Sequence, residues 1–274
     1  MYKLIATDCD GTILDSEGFL PEEIISVFRK LNNMGIHILP VTGRNDIIAR
    51  DYIDELDIGC PVIGCNGATL VNFSTGERFF TRSIDKAFVI RFMDICKSFD
   101  TPCKIFTTDT QYTNSRVLYE GGINLITIGY KKKMTYSIET ILVEDIYSVV
   151  DKDNIIKCVV VNNDVDFVLR VRDAINREIP ELKAVQSNWN CIDKNRRDVS
   201  KGAAVLDYAE MLNIKAEEII AFGDSENDLS MIEAAGLGVA VGNADDCLKK
   251  RADMICDTND NSGVAKVLRE IYNI

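Results

Sequence analysis

Histidine is almost missing from this chain: His37 is the only one among 274 residues. A metal site with two histidine ligands is therefore impossible within one copy, which removes zinc-protease chemistry. A histidine-dependent triad would need His37. That residue sits in an apolar run, Ile36-His37-Ile38-Leu39, that reads as a strand and suits a structural side chain. Paired cysteines are missing too. Nine cysteines are scattered from Cys9 to Cys256 with no CxxC, an odd number in a long chain. This is the pattern of reduced, mostly buried thiols in a cytoplasmic protein, not of a disulfide framework. Positive charge is in deficit, with 31 Lys and Arg against 43 Asp and Glu, a net −12. That balance argues against a nucleic-acid partner and against a polybasic membrane anchor. A phosphorylated small molecule would need local attraction, from a metal or a few basic side chains. No apolar run approaches membrane-spanning length, and Met1-Tyr2-Lys3 has no signal-peptide shape. Internal repeats and low-complexity tracts are likewise missing.

What the chain does have is 46% apolar residues, enough for one large domain or two modest ones. It also has Asp8-Cys9-Asp10-Gly11-Thr12, directly after the apolar run Lys3 to Thr7. Two carboxylates one residue apart leave the end of a short buried strand, and Gly11 permits a tight turn. In an α/β sheet, ligands bind at the carboxyl ends of strands. Carboxylates placed there can hold a hard cation, or act as nucleophile and acid/base. A polar turn with no chemistry is the other reading of these five residues. Cys9 between them reads as a small inward-pointing spacer.

Further on, a helix is expected from Leu20-Pro21-Glu22-Glu23 to Gly35, then a strand, Ile36 to Val41. The strand ends in Thr42-Gly43-Arg44, followed by a helix to about Leu56. A hydroxyl and free N–H groups at a helix start form an anion site, although Thr42 also suits simple N-capping and Arg44 a surface position. Pro61 to Cys65 reads as a third strand, ending in Asn66-Gly67-Ala68. Thr69 to Phe73 and Arg78 to Thr81 read as a hairpin. Short apolar strands alternating with helices predict a parallel sheet covered on both faces.

From Ser83 the pattern changes to a mixture of hairpins and helices, which predicts an inserted α+β module. Ile138 to Val149 reads as a helix, Ile155 to Val161 as a strand and Val165 to Ile179 as a helix. Leu182 to Ser187 and Asn190 to Asp193 read as closing strands. Ser115 to Tyr136 resists assignment, and its Lys131-Lys132-Lys133 reads as a solvated face. Regular α/β patterning then resumes. A helix opens at Val199-Ser200-Lys201-Gly202. A buried strand, Glu218 to Phe222, runs into Gly223-Asp224-Ser225-Glu226-Asn227-Asp228. Asp224 is another carboxylate at a strand end, whereas Asp228 also fits a helix-capping role with Ser225. Gly242-Asn243-Ala244 follows a further core strand.

Taken together, the Asp8–Thr12, Val41–Arg44, Ser200–Gly202 and Gly223–Asp228 segments resemble, in order and chemistry, the four motifs of the haloacid dehalogenase superfamily. With Asn66-Gly67-Ala68 and Gly242-Asn243-Ala244 the chain is similar to Cof-type phosphatases with a class IIB cap. The resemblance implies a Rossmann-like doubly wound parallel core of residues 1–82 and 188–274, interrupted by an α+β cap of residues 83–187. It implies a Mg2+-dependent phosphatase of small phosphorylated metabolites, sugar phosphates by default, working through an aspartyl-phosphate. Asp8 would be the nucleophile and Asp10 the acid/base. Thr42, Gly43, Arg44, Asn66, Gly67, Lys201 and Asn227 would serve phosphate or substrate. Asp8, the carbonyl of Asp10, Asp224 and Asp228 would serve the metal. The partner implied is the small substrate alone, with no nucleic acid or membrane, and a monomer or homodimer in the cytoplasm. Two rival functions are a sugar phosphomutase on the same core and a non-catalytic phosphometabolite-binding protein. The segment Arg196-Arg197-Asp198 is more charged than the family pattern, which bears on specificity.

Overall fold

A computed structural model describes residues 1–120, 130–188 and 191–274. The chain forms two compact units. Unit 1 comprises Met1–Phe80, Gly129–Tyr136 and Ser200–Ile274; unit 2 comprises Thr81–Ile128 and Ser137–Val199. In chain order the elements begin with β1 (Leu4–Thr7), α1 (Glu22–Asn33), β2 (His37–Pro40), α2 (Asp46–Leu56), β3 (Val62–Gly64), β4 (Thr69–Asn72) and β5 (Glu77–Thr81). Next come α3 (Lys86–Ser98), β6 (Cys103–Phe106), β7 (Thr110–Thr113), α4 (Arg116–Glu120), β8 (Glu139–Leu142), β9 (Lys157–Val161), α5 (Val165–Glu178), β10 (Leu182–Asn188) and β11 (Cys191–Arg196). The chain ends with α6 (Lys201–Met211), β12 (Ile219–Gly223), α7 (Leu229–Ala234), β13 (Leu237–Ala240), α8 (Asp246–Lys249), β14 (Met254–Ile255) and α9 (Gly263–Tyr272).

In unit 1 a five-stranded sheet has the order β14-β13-β12-β1-β2, every pair parallel. β1 and β12 are buried at every residue, so both sheet faces are covered. Ile24, Val27, Phe28 and Leu31 of α1 join Val264, Val267 and Leu268 of α9 in the same core. Both helices place apolar residues at helical spacing on one side. Tyr272 anchors the last helix by donating to the Tyr2 carbonyl at 3.0 Å.

Pro61 to Cys65 forms a strand, but not a full member of the parallel sheet. β3 touches it through a single parallel bridge, Val41 to Ile63, and pairs antiparallel with β4 in a separate sheet, β3-β4-β5. The left-handed backbone at Cys65, Asn66 and Gly67 turns the chain back immediately after β3. A strand of three residues therefore pairs with its own return.

Unit 2 has a six-stranded sheet of order β10-β11-β9-β6-β7-β8, antiparallel except for β7 with β8. Phe92 and Cys96 of α3 and Val171 and Ile175 of α5 pack with Ile105, Cys158 and Val160 of the sheet. Among the alternate positions, Lys104 and Lys157 are buried polar groups, and Lys157 pairs with Asp193 at 2.6 Å. The helix expected over Ile138 to Val149 is instead β8 and a 3₁₀ turn, Ile146–Val149. Thr140 and Ile141 are β-branched and pair with β7, and Asp145 accepts from the Tyr147 amide at 3.0 Å to start the turn. The middle of the unassigned region Ser115 to Tyr136, and Asn190 at the start of a closing strand, lie outside the described residues. The fold is thus the expected one, a parallel α/β core with an inserted α+β unit. Among the described residues, no helix is long and apolar enough to cross a membrane.

Candidate active site

Strand order brings the motifs together. β1 lies between β12 and β2, so Asp8, Thr42 and Asp224 leave three adjacent strands at their carboxyl ends. His37 begins β2, at the opposite end of the sheet, with its side chain exposed rather than buried in the core.

Asp8, Asp224 and Asp228 each offer a carboxylate oxygen, and these lie within 4.8 Å of one another. Lys201 joins them from the first position of α6, fully buried. Its Nζ donates to Asp8 Oδ1 and to Asp228 Oδ1, both at 2.6 Å. Ser200 caps that helix by accepting from the Ala203 amide at 3.1 Å. Asp228 does more than cap a turn. Its Oδ2 accepts from the amides of Asp224 at 2.9 Å and Ser225 at 3.1 Å, which shapes the loop after β12. Asp224 accepts from Ser225 Oγ at 2.9 Å and from Thr12 Oγ1 at 3.3 Å.

The charges are crowded. Burial pushes the Asp8 carboxyl well above the usual carboxylate range; Lys201 opposes the rise, and Asp228, Asp224 and Asp10 add to it. Asp224 is pushed up to about 7, by burial and then by Asp228. Burial pulls Lys201 down, yet Asp228 and Asp8 more than reverse this and hold it as a cation. Three carboxylates thus share one ammonium. This oxygen-only donor set has unbalanced negative charge, which fits a hard divalent cation.

The Asp10 side chain is not part of this trio. Arg44 grips it with two donors, Nε to Oδ2 at 2.6 Å and Nη2 to Oδ1. Tyr130 donates its O–H to Oδ1 at 2.9 Å. Burial raises the Asp10 carboxyl, but the Arg44 charge and the hydrogen bonds from Arg44 and Tyr130 outweigh it and hold it below the usual range. Arg44 is not the surface residue that its place near a helix start allowed. It is buried, its guanidinium lies 5.5 Å from the ring centroids of both Tyr52 and Tyr130, and its Nη1 has no hydrogen-bond partner among the described residues. Cys9 is buried between the two aspartates, and burial pushes its thiol far up, as suits a spacer.

Thr42 is fully buried, and its Oγ1 accepts from the Arg44 amide at 3.0 Å. It does not cap α2; Asn45 does, accepting from Ile47 at 2.9 Å. Gly43 lies against Asn66, whose Oδ1 accepts from Asn227 Nδ2 at 3.0 Å, so these three residues meet. Gly67 meets backbone instead. At φ +106°, an added Cβ would stand 2.3 Å from the Ser200 carbonyl oxygen, so only glycine lets this turn seat against the start of α6. Sequence reasoning missed Tyr130 and Tyr52, neither of which lies in or beside a recognisable motif.

Comparison with known proteins agrees with this geometry. Residues 5–268 match the family model of haloacid dehalogenase-like hydrolases. The chain belongs to that family. A 5-amino-6-(5-phospho-D-ribitylamino)uracil phosphatase of Bacillus subtilis, YcsE, is 31% identical over 97% of this chain and 94% of its own. A pyridoxal phosphate phosphatase of Escherichia coli, YbhA, is 25% identical over 97% of each chain. Among solved structures, a haloacid dehalogenase-like hydrolase from B. subtilis superposes with a TM-score of 0.86 at 27% identity, over 98% of this chain and 99% of that one. The protein is a haloacid dehalogenase-like hydrolase of the phosphatase type.

Proposed function

We propose that this haloacid dehalogenase-like hydrolase is a Mg2+-dependent phosphatase that cleaves phosphate monoesters of small metabolites through an aspartyl-phosphate on Asp8. The observation that carries the reading is the convergence of Asp8, Asp224 and Asp228 on a buried Lys201. Asp8, Asp224 and the backbone carbonyl of Asp10 would hold the cation. Asp228 would brace the lysine and the loop, since its oxygens already serve Lys201 and two amides. Bound there, the cation supplies positive charge that offsets repulsion between carboxylate and phosphate. An all-oxygen set favours Mg2+ over Zn2+.

Asp8 attacks phosphorus, forming a P–O bond to its carboxylate as the ester P–O bond breaks. Arg44 and Tyr130 hold Asp10 as a carboxylate before substrate binds, and a phosphate dianion bound beside it would favour its protonated form. Protonated Asp10 then delivers its proton to the leaving alkoxide and, as the carboxylate, takes one from the water that cleaves the acyl-phosphate. Lys201 holds charge on the phosphoryl oxygens, with Thr42 and the Gly43 amide beside it and Asn227 and Asn66 shaping that wall. Arg44 would act through Asp10, whose carboxylate it holds with two donors. Gly67 acts indirectly, by seating the start of α6.

The substrates named for YcsE and YbhA support a small phosphorylated metabolite, and a sugar or polyol phosphate is the class we favour. We assign residues 1–82 and 188–274 to the catalytic core and 83–187 to the cap; by compactness, 130–136 go with unit 1, and 81–82 and 188–199 with unit 2. We favour a cytoplasmic protein, in line with nine scattered cysteines and no CxxC, acting as a monomer or homodimer; the net charge of −12 argues against a nucleic-acid or membrane partner.

The test is phosphate release from a panel of phosphorylated metabolites, with Mg2+ and with excess chelator. Release should need the metal, and folded Asp8→Asn should lose about 10³-fold or more. Full activity in chelator, or normal turnover by folded Asp8→Asn, would refute the mechanism. An isomeric phosphate ester in place of free phosphate would identify a mutase.

A further inference from the structure

Residues 130–136 belong to unit 1, although the chain on either side belongs to unit 2. This strap is pinned at several points to unit 1. The amides of Lys131 and Lys132 donate to the Glu17 carbonyl at 3.0 and 3.3 Å, and their ammonium groups pair with Glu17 and Glu55. Asp51 accepts from the Thr135 amide at 2.9 Å, and Tyr136 O–H donates to Asp54 at 2.7 Å. The Tyr52 hydroxyl contacts Met134 Sδ at 3.5 Å. The result is to place Tyr130 on Asp10. Gly18 leaves room for it: φ there is +84°, and a Cβ would lie 2.5 Å from the Tyr130 ring.

We propose that Tyr130 is a positioning residue for Asp10, delivered by the strap and fixing the carboxylate's orientation for proton transfer. This inference rests on the phosphatase reading above. Two contacts carry it: the 2.9 Å hydrogen bond to Asp10 Oδ1, and the stacking of the same ring on the guanidinium that grips both Asp10 oxygens. Removing the hydroxyl frees one side of the carboxylate, and removing the ring also loosens Arg44. The two partners of Asp10 differ in kind. Arg44 can only donate, whereas a phenol O–H donates to a carboxylate and accepts from a carboxylic acid. Tyr130 therefore stays hydrogen-bonded when Asp10 gains a proton from water and when it gives one to the leaving alkoxide.

The experiment measures kcat/KM of wild type, Tyr130→Phe and Tyr130→Ala on two esters. One is p-nitrophenyl phosphate, whose leaving group needs no protonation. The other is an alkyl phosphate that the wild type hydrolyses. Tyr130→Phe keeps the ring and loses one oxygen, so folding is little disturbed; melting temperatures verify this. On the alkyl phosphate it should lose about tenfold, the value of one hydrogen bond to a charged group. On p-nitrophenyl phosphate the loss should stay within about twofold, because that step does not need the acid. Tyr130→Ala should widen the gap. Equal losses on both esters would mean a general structural role and overturn the proposal, as would no loss on either. Wild-type activity with an unaffected Tyr130→Phe removes this inference alone. A wild type that releases no phosphate removes the phosphatase reading and this inference with it.

Discussion

Asp224 shows how the charges at this site are coupled. Its carboxyl is pushed up to about 7 by burial and by Asp228, so below that pH it holds a proton where a cation would bind. Mg2+ should therefore raise the melting temperature more at pH 8 than at pH 6. In metal-free protein the folded-state value lies above the unfolded one, about 3.9. The folded state then binds the proton more tightly, and this stability is full below the unfolded value and lost as pH rises through 7. Without metal, the melting temperature should fall from pH 6 to pH 8. Thermal denaturation at both pH values, with and without Mg2+, reads out both effects; Mg2+ shifts that do not depend on pH would remove the coupling. Most residues of the site were legible because Asp8, Thr42, Lys201 and Asp224 each end a strand or start a helix with a recognisable neighbour pattern. The roles of Arg44 and Tyr130 toward Asp10 were not. These partners lie 34 and 120 positions away, and no local pattern links a carboxylate to so distant a donor.

At the scale of elements, the start of α6 depends on the turn after β3. Gly67→Ala would add a Cβ 2.3 Å from the Ser200 carbonyl oxygen and force a left-handed backbone on alanine. Backbone gives way less readily than a flexible side chain, so the cost should be about 2 kcal/mol or more. Lys201, the next residue after Ser200, should shift with it. Denaturant unfolding and kcat should both register the change, and an unchanged kcat in a destabilised protein would separate the turn from the chemistry. Strands and helices with strong periodicity, β1, α1 and β12, were readable from sequence because burial on one or both faces leaves a pattern. The segment Ile138 to Val149 was not. Its apolar spacing suits a helix, but pairing with β7 claims Glu139–Leu142 as a strand. Lys131-Lys132-Lys133 reads as a solvated run, and Lys131 and Lys133 are indeed exposed, but Glu55 lies beside Lys132. Lys132 then lies largely buried, over the Tyr52 ring at 4.7 Å.

For the whole molecule, the net charge of −12 acts on any phosphorylated substrate before it reaches the site. Long-range repulsion should slow encounter at low salt and fade as the Debye length shortens to about 8 Å at physiological ionic strength. With Mg2+ saturating, kcat/KM for a dianionic phosphate should therefore rise as salt is raised from low values. A steady fall would mean that local positive charge at the site controls approach instead. The sequence by itself determined the class of the core, the order of its motifs and which residue types stand at its strand ends. Those properties rest on local periodicity and on residue types at strand ends, and both are written within a few neighbouring positions. Only the tertiary structure decided that Asp10 is gripped by Arg44 and Tyr130, that Gly67 seats α6, and that a strap from the middle of the chain lies on unit 1. Each of these is a contact between segments far apart in sequence, fixed by shape and charge that appear only when the chain has folded.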